Sequence, residues 1–251
     1  LLSVAIIGGG ATGVELATEL VEFMKVTLCA YYHHACFDAG DMKITLIASS
    51  AELLPQFPPE IRTIALDELK KKDITVQLAT SVTAVENHKV MFANGGTLEA
   101  QTIIWVAGVT PYQWEISGTE RERGNRIKTD EFQRVVGRPN IFALGDASGT
   151  HPMLAQVAVQ QSKVVARNIE ATIHNKPRDL RPFVFKEKGI LISLGQWSAA
   201  GKIFGKIIQG PIMWWLWRTI YLFNFHSWRK RFRIAVEWTI DLFYPRDISS
   251  V

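Results

Sequence analysis

The sequence predicts an α/β fold: a parallel sheet carrying helices, followed by a β-meander. Three observations carry this expectation. An apolar, β-rich run at 3–7 (SVAII) ends in three consecutive glycines. A helical pattern follows at 13–24, with Leu16, Leu20, Phe23 and Met24 on one face and Glu15, Glu19 and Glu22 on another. Strand-like and helix-like segments then alternate, the signature of a sheet with crossover helices.

The elements read in order as follows. A second strand is expected at 43–47 (KITLI) and a helix at 60–72. Short strands are expected at 74–78, 82–86 and 89–92, the last two joined by a tight connection as the start of a meander, with a turn at Asn94-Gly95-Gly96. A buried strand at 102–107 (TIIWVA) stops at Gly108. A loop-rich stretch runs to Arg138-Pro139, then a strand at 141–144 meets Gly145-Asp146. A long helix is expected at 154–173. Strands at 183–185 and 190–194, flanking Lys186-Glu187-Lys188-Gly189, read as a hairpin. Two aromatic helices are expected at 212–225 and 228–243, the second ended by Pro245.

Gly8, Gly10 and Gly13 fit G-x-G-x-x-G between a strand and a helix. The first glycine permits the tight turn, the second lets a pyrophosphate approach the backbone, and the third allows close helix–strand packing. The helix N-terminus then offers N–H groups and a positive dipole end to phosphates. The pattern predicts a Rossmann-like dinucleotide-binding domain over 1–111. Such a turn usually has an acid at the end of the second strand, for the adenosine ribose. Here that place reads Ala48-Ser49-Ser50, and Glu52 lies beyond, so the choice between NADH and NADPH stays open.

Two further motifs stand downstream. Ile141 to Asp146 (IFALGD) brings a Gly-Asp to a strand end, where backbone passes close to a cofactor and a carboxylate accepts from hydroxyls. Ala155-Gln156-Val157-Ala158-Val159-Gln160-Gln161 opens a helix whose N-terminus can aim its positive end at a flavin ring. Taken singly, such features are also found as plain turns and solvated glutamines.

Together, GGGATGVELATEL, TIIWVAGV, NIFALGD and LAQVAVQQ, in this order, resemble the two-dinucleotide-binding flavoprotein oxidoreductases. Within them, the AQxAxQQ segment and the basic aromatic tail resemble type II NADH dehydrogenase, a monotopic, non-proton-pumping NADH:quinone oxidoreductase. The resemblance covers essentially the whole chain but begins at the family's second glycine motif, so an N-terminal FAD-binding half is expected to be missing. It implies FAD and NADH as cofactors and a quinone as acceptor. It implies that Gly8, Gly10 and Gly13 hold the NADH pyrophosphate and that Ala107 and Gly108 line the nucleotide path. Gly145 and Asp146 would meet the FAD ribityl–phosphate region, and Ala155 and Gln156 the isoalloxazine. Glu15 and Gln156 would be the catalytic pair shaping the region that NADH and quinone share, with Gln156, Gln160 and Arg218 toward the quinone. Glu15 has a plainer alternative as a solvent-facing helix residue. On the same resemblance, 112–175 is the C-terminal part of the FAD-binding domain and 176–251 a membrane-anchoring domain.

Composition fits an ordinary globular body, with 47% hydrophobic and 21% charged residues, and excludes a disordered or low-complexity chain. Charge is unevenly placed. From residue 202 onward, eight Lys and Arg stand against three acids, within a chain of net charge +4. Five of the eight tryptophans lie there too. The uncharged stretches 207–217 and 219–228 are interrupted by Arg218, and Gly210-Pro211 breaks the first, so the span falls short of a transmembrane helix. Tryptophans at headgroup depth and basic residues against anionic lipid favour an interfacial amphipathic pair over 207–243. Nucleic acid is not an expected partner, because the basic cluster is short and no recognition module accompanies it. The location implied is the cytoplasmic face of a bacterial inner membrane, or a mitochondrial membrane; a homodimer is left open.

Cys29 and Cys36 are too far apart for CxxC. The redox cysteine pair of the disulfide reductases in this superfamily would lie upstream of this chain, and the C-terminal end lacks their His-Pro dimerisation segment. His33 and His34 lack partner acids at ligand spacing, and no metal site is expected. His151-Pro152 precedes the long helix, and His151 is not expected to serve as a general acid. Two other readings stay open: a soluble NAD(P)H-dependent reductase of a protein partner, with the tail as docking surface, and an inactive fragment.

Overall fold

The computed structural model describes residues 2–29, 42–112, 114–122, 124–225 and 227–242. His33, His34 and Cys36 lie outside these. The chain divides into two units, Leu1–Gly108 with Lys188–Val251, and Val109–Glu187. The segment from 188 onward therefore packs with the glycine motif's own unit, where the sequence led us to expect a separate body from 176.

In the first unit, β1 (Leu2–Ile7), β2 (Met42–Ile47), β3 (Thr75–Gln77) and β7 (Thr102–Trp105) form a parallel sheet in the order β3-β2-β1-β7. Ala5 stands opposite Thr45 and Ile103, and Thr45 opposite Thr75. β1 is buried from Val4 to Ile7 because both sheet faces are covered, which is why it reads as an unbroken apolar run. On one face lie α1 (Ala11–Glu22), prolonged by a π-turn over Phe23–Leu28, and α2 (Pro59–Lys71). Val14, Ala17 and Val21 of α1, and Ile61, Ala65 and Leu69 of α2, close over Ile6, Ile44 and Leu46. On the other face, Ala5, Ile7 and Ile47 pack with Val90 and Ala100 of the meander, built from β4 (Val82–Glu86), β5 (Lys89–Phe92) and β6 (Thr97–Glu99). Truncating a fully buried residue such as Ile6 in this sandwich costs on the order of 2–5 kcal/mol.

The same unit holds the antiparallel sheet β12 (Ile190–Ser193), β13 (Ala199–Ile203) and β14 (Lys206–Gln209). Ile192, Leu194 and Ala200 join the α1–α2 core. α1 is thus covered on two sides, and its burial departs from the expected single stripe. Gly13, Val14, Ala17, Thr18 and Val21 are buried, and of the expected stripe Met24 is buried while Leu16, Leu20 and Phe23 are only partly so. The acidic side of the helix is engaged as well: Glu22 accepts the Gln196 N–H at 2.7 Å and pairs with Lys72. After Gly210, with φ +77°, α4 (Pro211–Asn224) starts on a proline at its first position, and α5 (Trp228–Ile240) follows. Met213 and Trp214 are buried beside Ala199. No described helix is long and apolar enough to cross a membrane.

The second unit is built on α3 (Ala155–Ile173), β8 (Arg121–Glu122) paired with β9 (Arg126–Ile127), and β10 (Arg134–Val135) paired with β11 (Arg138–Phe142). β11 starts earlier than the expected strand at 141, because Gly137 at φ +76° turns the chain straight back from β10. Ile127, Val135 and Ala143 form a small apolar core, and Val157, Val165 and Ala171 are the buried apolar face of α3.

The hairpin expected between 183–185 and 190–194 does not form. The Phe183 N–H donates to the Glu131 carbonyl at 2.8 Å and its ring is buried within the second unit. β12 instead pairs with β13 through a turn at 195–198, where Gly195 takes φ +101° and the Leu194 N–H donates to the Ser198 carbonyl at 2.9 Å.

Candidate functional site

The glycine turn lies at the carboxyl ends of β1 and β7, the side where ligands bind in parallel sheets. Two ladder-like bonds position it: Gly8 N–H to the Ile47 carbonyl and Val106 N–H to the Ile7 carbonyl, both 2.8 Å. Gly8 has φ +136°, and a Cβ there would lie 2.6 Å from the Val106 oxygen. A Cβ on Gly13 would lie 1.9 Å from the Gly8 oxygen. Both glycines are therefore obligatory for packing. Gly10 is different: a Cβ there meets no atom within 4 Å. It caps α1 without a side-chain hydrogen bond, and no acid sits in the first turn. Open space beside an uncapped, acid-free helix start suits an anion. Ala107 and Gly108 are exposed just past β7, with Gly108 at φ +99°, and the Ala107 nitrogen lies close to Gly8.

Glu15 is not on a solvent face. Its carboxylate accepts the Ser193 N–H of β12 at 3.1 Å. Burial holds its carboxyl above the ordinary 4.5; the Ser193 bond opposes this and the like charge of Glu19 adds to it. The Tyr221 hydroxyl of α4 is raised too, by burial and then by the Glu15 charge. Ser193 Oγ and Trp217 Nε1 are buried with no hydrogen-bond partner among the described residues. Trp217 packs on Tyr221 at 4.9 Å between ring centres. Arg218 of the same helix has its guanidinium 4.4 Å from the Trp214 ring centre and 4.5 Å from that of Trp238, binding α4 to α5.

In the second unit, Gly145 takes φ +60° and opens a short 3₁₀ turn in which Asp146 is exposed. The turn is fixed from below. The Gly145 N–H donates to Gln161 Oε1 at 2.7 Å, and Gln161 Nε2 donates to Gln133 Oε1 at 2.8 Å, both glutamines being fully buried. Arg126 fixes it from the side, donating to the Asp146 carbonyl at 3.0 Å, the His151 carbonyl at 2.7 Å and the Ser148 carbonyl. His151 is lowered from 6.5 by burial and by the Arg126 charge, so it favours its neutral form. α3 begins without a side-chain cap or an acid in its first turn; Ala155 is exposed there and Gln156 half-buried. Gln160 exchanges two bonds with the Lys186 backbone, at 2.9 and 3.1 Å.

Gly8, Gly10, Gly13, Ala107 and Gly108 thus gather at one sheet end of the first unit, which also holds Glu15 and Arg218. Gly145, Asp146, Ala155, Gln156 and Gln160 belong to the second. Sequence reasoning missed Ser193 and Tyr221 beside Glu15, and Arg126 and Gln133 beneath Asp146. Ser193 lies 178 residues from Glu15, with no local pattern to pair them. For Gln161 a signal existed, a polar residue at helical spacing with Val157 and Val165.

The chain matches the pyridine nucleotide-disulphide oxidoreductase model over residues 2–162 and belongs to that family. Residues 188–247 match the NDH2 C-terminal domain. Among its relatives is the type II NADH:quinone oxidoreductase of Haemophilus influenzae, 31% identical over 96% of this chain and 56% of that protein. Another is the internal alternative NAD(P)H-ubiquinone oxidoreductase A1 of Arabidopsis thaliana mitochondria, 30% identical over 100% of this chain and 53% of that one. The chain spans about half the length of these curated relatives. Among solved structures, NDH2 of Plasmodium falciparum in complex with NADH shares the fold, with a TM-score of 0.88 at 19% identity, covering 99% of this chain and 67% of that one.

Proposed function

We propose that this chain is the nicotinamide-nucleotide and acceptor part of an FAD-dependent NADH:quinone oxidoreductase that does not pump protons. The observation that carries the reading is the glycine turn: two glycines locked by backbone packing, with open space at Gly10 before an uncapped helix. The names of the relatives support the same activity. Gly8, Gly10 and Gly13 would seat the NADH pyrophosphate, with Ala107 and Gly108 along the nucleotide path. The exposed Asp146 carboxylate and the acid-free start of α3 fit a polyhydroxyl-phosphate chain and an electron-rich ring, so Gly145, Asp146, Ala155 and Gln156 are the residues here that would hold FAD. That group, when bound, supplies hydride acceptance and two-electron transfer. Glu15, with its raised carboxyl, holds a proton more readily than an exposed carboxylate does, and reduction of a quinone consumes protons. Gln156, Gln160 and Arg218 are proposed toward the quinone.

The membrane surface is proposed for α4 and α5. Ile212, Trp215, Phe223, Trp228 and Phe232 expose large apolar area beside Arg229, Lys230, Arg231 and Arg233. Aromatic side chains favour headgroup depth, and each basic residue adds roughly 1 kcal/mol near anionic lipid. The quinone would then arrive from the bilayer, at the cytoplasmic face of a bacterial inner membrane or at a mitochondrial membrane.

The test is NADH oxidation by the full-length protein with a short-chain, water-soluble quinone. Acceptor-dependent turnover is expected; a flavin that NADH does not reduce, or no turnover with any quinone, overturns the reading. Flotation with anionic vesicles separates the membrane surface from a soluble docking face, which would leave the protein in the soluble fraction.

A further inference from the structure

In glycine-turn folds, the side chain just past the second strand meets the adenosine ribose. An acid there binds the 2′-hydroxyl of NADH, and a nearby arginine accommodates the 2′-phosphate of NADPH. Here β2 ends at Ile47 and the next residue is Ala48, 2% exposed. Its side chain faces the glycine turn: a Cβ built on Gly9 would lie 2.5 Å from the Ala48 Cβ. A methyl group thus occupies the place where a carboxylate would read the ribose.

Among the described residues just beyond β2, the charged groups are already paired with each other. Ser49 is exposed, and the Ser50 hydroxyl donates to the Glu52 carbonyl at 2.6 Å. Glu52, the first acid downstream, is ion-paired with Arg62. That guanidinium is further committed to the carbonyls of Phe57 at 2.7 Å and Pro55 at 2.9 Å. On the neighbouring strand end, the Thr80 hydroxyl donates to the Leu78 carbonyl at 2.9 Å. An acid neutralised by its partner repels a phosphate weakly, and an arginine so neutralised attracts one weakly. Hydroxyls such as that of Ser49 donate and accept, and so serve a ribose hydroxyl and a phosphate alike.

We propose that this nucleotide site does not discriminate at the 2′ position and takes NADH and NADPH alike, with Ala48 as the residue that removes the selection. The inference rests on the reading of Gly8–Gly13 as a pyrophosphate turn. Selection by charge acts through binding, so it is visible in the dissociation constants of the two nucleotides.

The experiment is isothermal titration calorimetry of the full-length protein with NADH and with NADPH, beside the variants Ala48→Glu and Ser49→Asp. The two Kd values are expected within about tenfold of each other. Either variant is expected to weaken NADPH by more than about tenfold while sparing NADH, as an added negative charge near a 2′-phosphate requires. The Ser49 variant sits on exposed backbone and covers the case in which a carboxylate buried in place of the Ala48 methyl disturbs folding. A wild-type preference for either nucleotide above about tenfold overturns the proposal and leaves the pyrophosphate turn standing. An unchanged Kd ratio in a folded Ser49→Asp variant also overturns it. Binding of neither nucleotide removes the pyrophosphate reading and this proposal together.

Discussion

The carbonyl oxygen of Gly8 fills the space a side chain on Gly13 would need across the turn from β1 to α1: a methyl group on Gly13 would sit 1.9 Å from that oxygen. The obstacle is backbone on both sides and has no flexible end to swing away. Gly13→Ala is therefore expected to force the helix off the strand, at a cost of about 1–3 kcal/mol and a fall in Tm of roughly 3–10 °C. Gly10→Ala meets open space in the unliganded protein and is expected to leave Tm within about 2 °C while weakening nucleotide binding. Thermal melts with and without NADH separate the two; equal Tm losses would contradict the assignment of one glycine to packing and the other to ligand approach.

Gln161 lies fully buried between the Gly145 amide and Gln133. Gln161→Leu keeps the volume and removes both bonds. The Gly145 N–H is left without its partner, and a buried unpaired polar group costs about 1–3 kcal/mol. Urea denaturation is expected to show that loss, and the Gly145-Asp146 turn should become more open to proteolysis. Gln160→Leu, cutting two bonds to the exposed Lys186 backbone, is expected to cost less, about 1 kcal/mol or below, since water replaces the lost partners.

Arg218 lies between Trp214 of α4 and Trp238 of α5, and Trp214 in turn packs on Trp197 at 4.7 Å. Cation–π contacts are worth about 0.5–2 kcal/mol each, according to desolvation. Arg218→Ala is expected to loosen α5 by about 1–2 kcal/mol, seen as faster amide hydrogen exchange over Trp228–Ile240 with little change in β1 or β2. Arg218→Lys keeps the charge but loses the flat stacking plane, so an intermediate rate is expected. Exchange in α5 that ignores both variants would place its anchoring elsewhere.

Legibility from sequence followed the range of the interactions. The sheet of β1, β2 and β7, the first two strands of the meander and α2 were readable because each is set by a local period and a nearby turn residue; the third meander strand, Thr97–Glu99, was missed because three residues are too short to show a period. The G-x-G-x-x-G spacing located the turn for the same reason, since its three glycines answer contacts within a few residues of one another. The hairpin after 183 was misread because partner choice there is not local: Phe183 is held by Glu131, and Ile190 pairs with Lys202. Burial around α1 was misjudged because its second cover, β12 and β13, arrives from far along the chain. Glu15 could be singled out from its place after the motif, but its environment could not.

That environment makes Glu15 a source of pH dependence. In the unfolded chain its carboxyl has the ordinary value of 4.5; in the fold, burial raises it against the opposing Ser193 bond. The native state therefore binds the proton more tightly than the unfolded state does. The stability so gained is fully present below 4.5 and is lost as pH rises through the folded value, where an ionised carboxylate must be kept half-buried near Glu19. Glu15→Gln keeps an acceptor for the Ser193 N–H and removes the charge. The variant is expected to flatten the decline in stability above pH 4.5 and to be no less stable than the parent at neutral pH. It is also expected to lower the Tyr221 hydroxyl toward its usual value, since part of its rise comes from the Glu15 charge. Denaturant midpoints measured from pH 4 to 8, paired with ultraviolet titration of tyrosine, check both; an unchanged slope together with an unchanged tyrosine titration would mean that Glu15 is solvated like any surface acid.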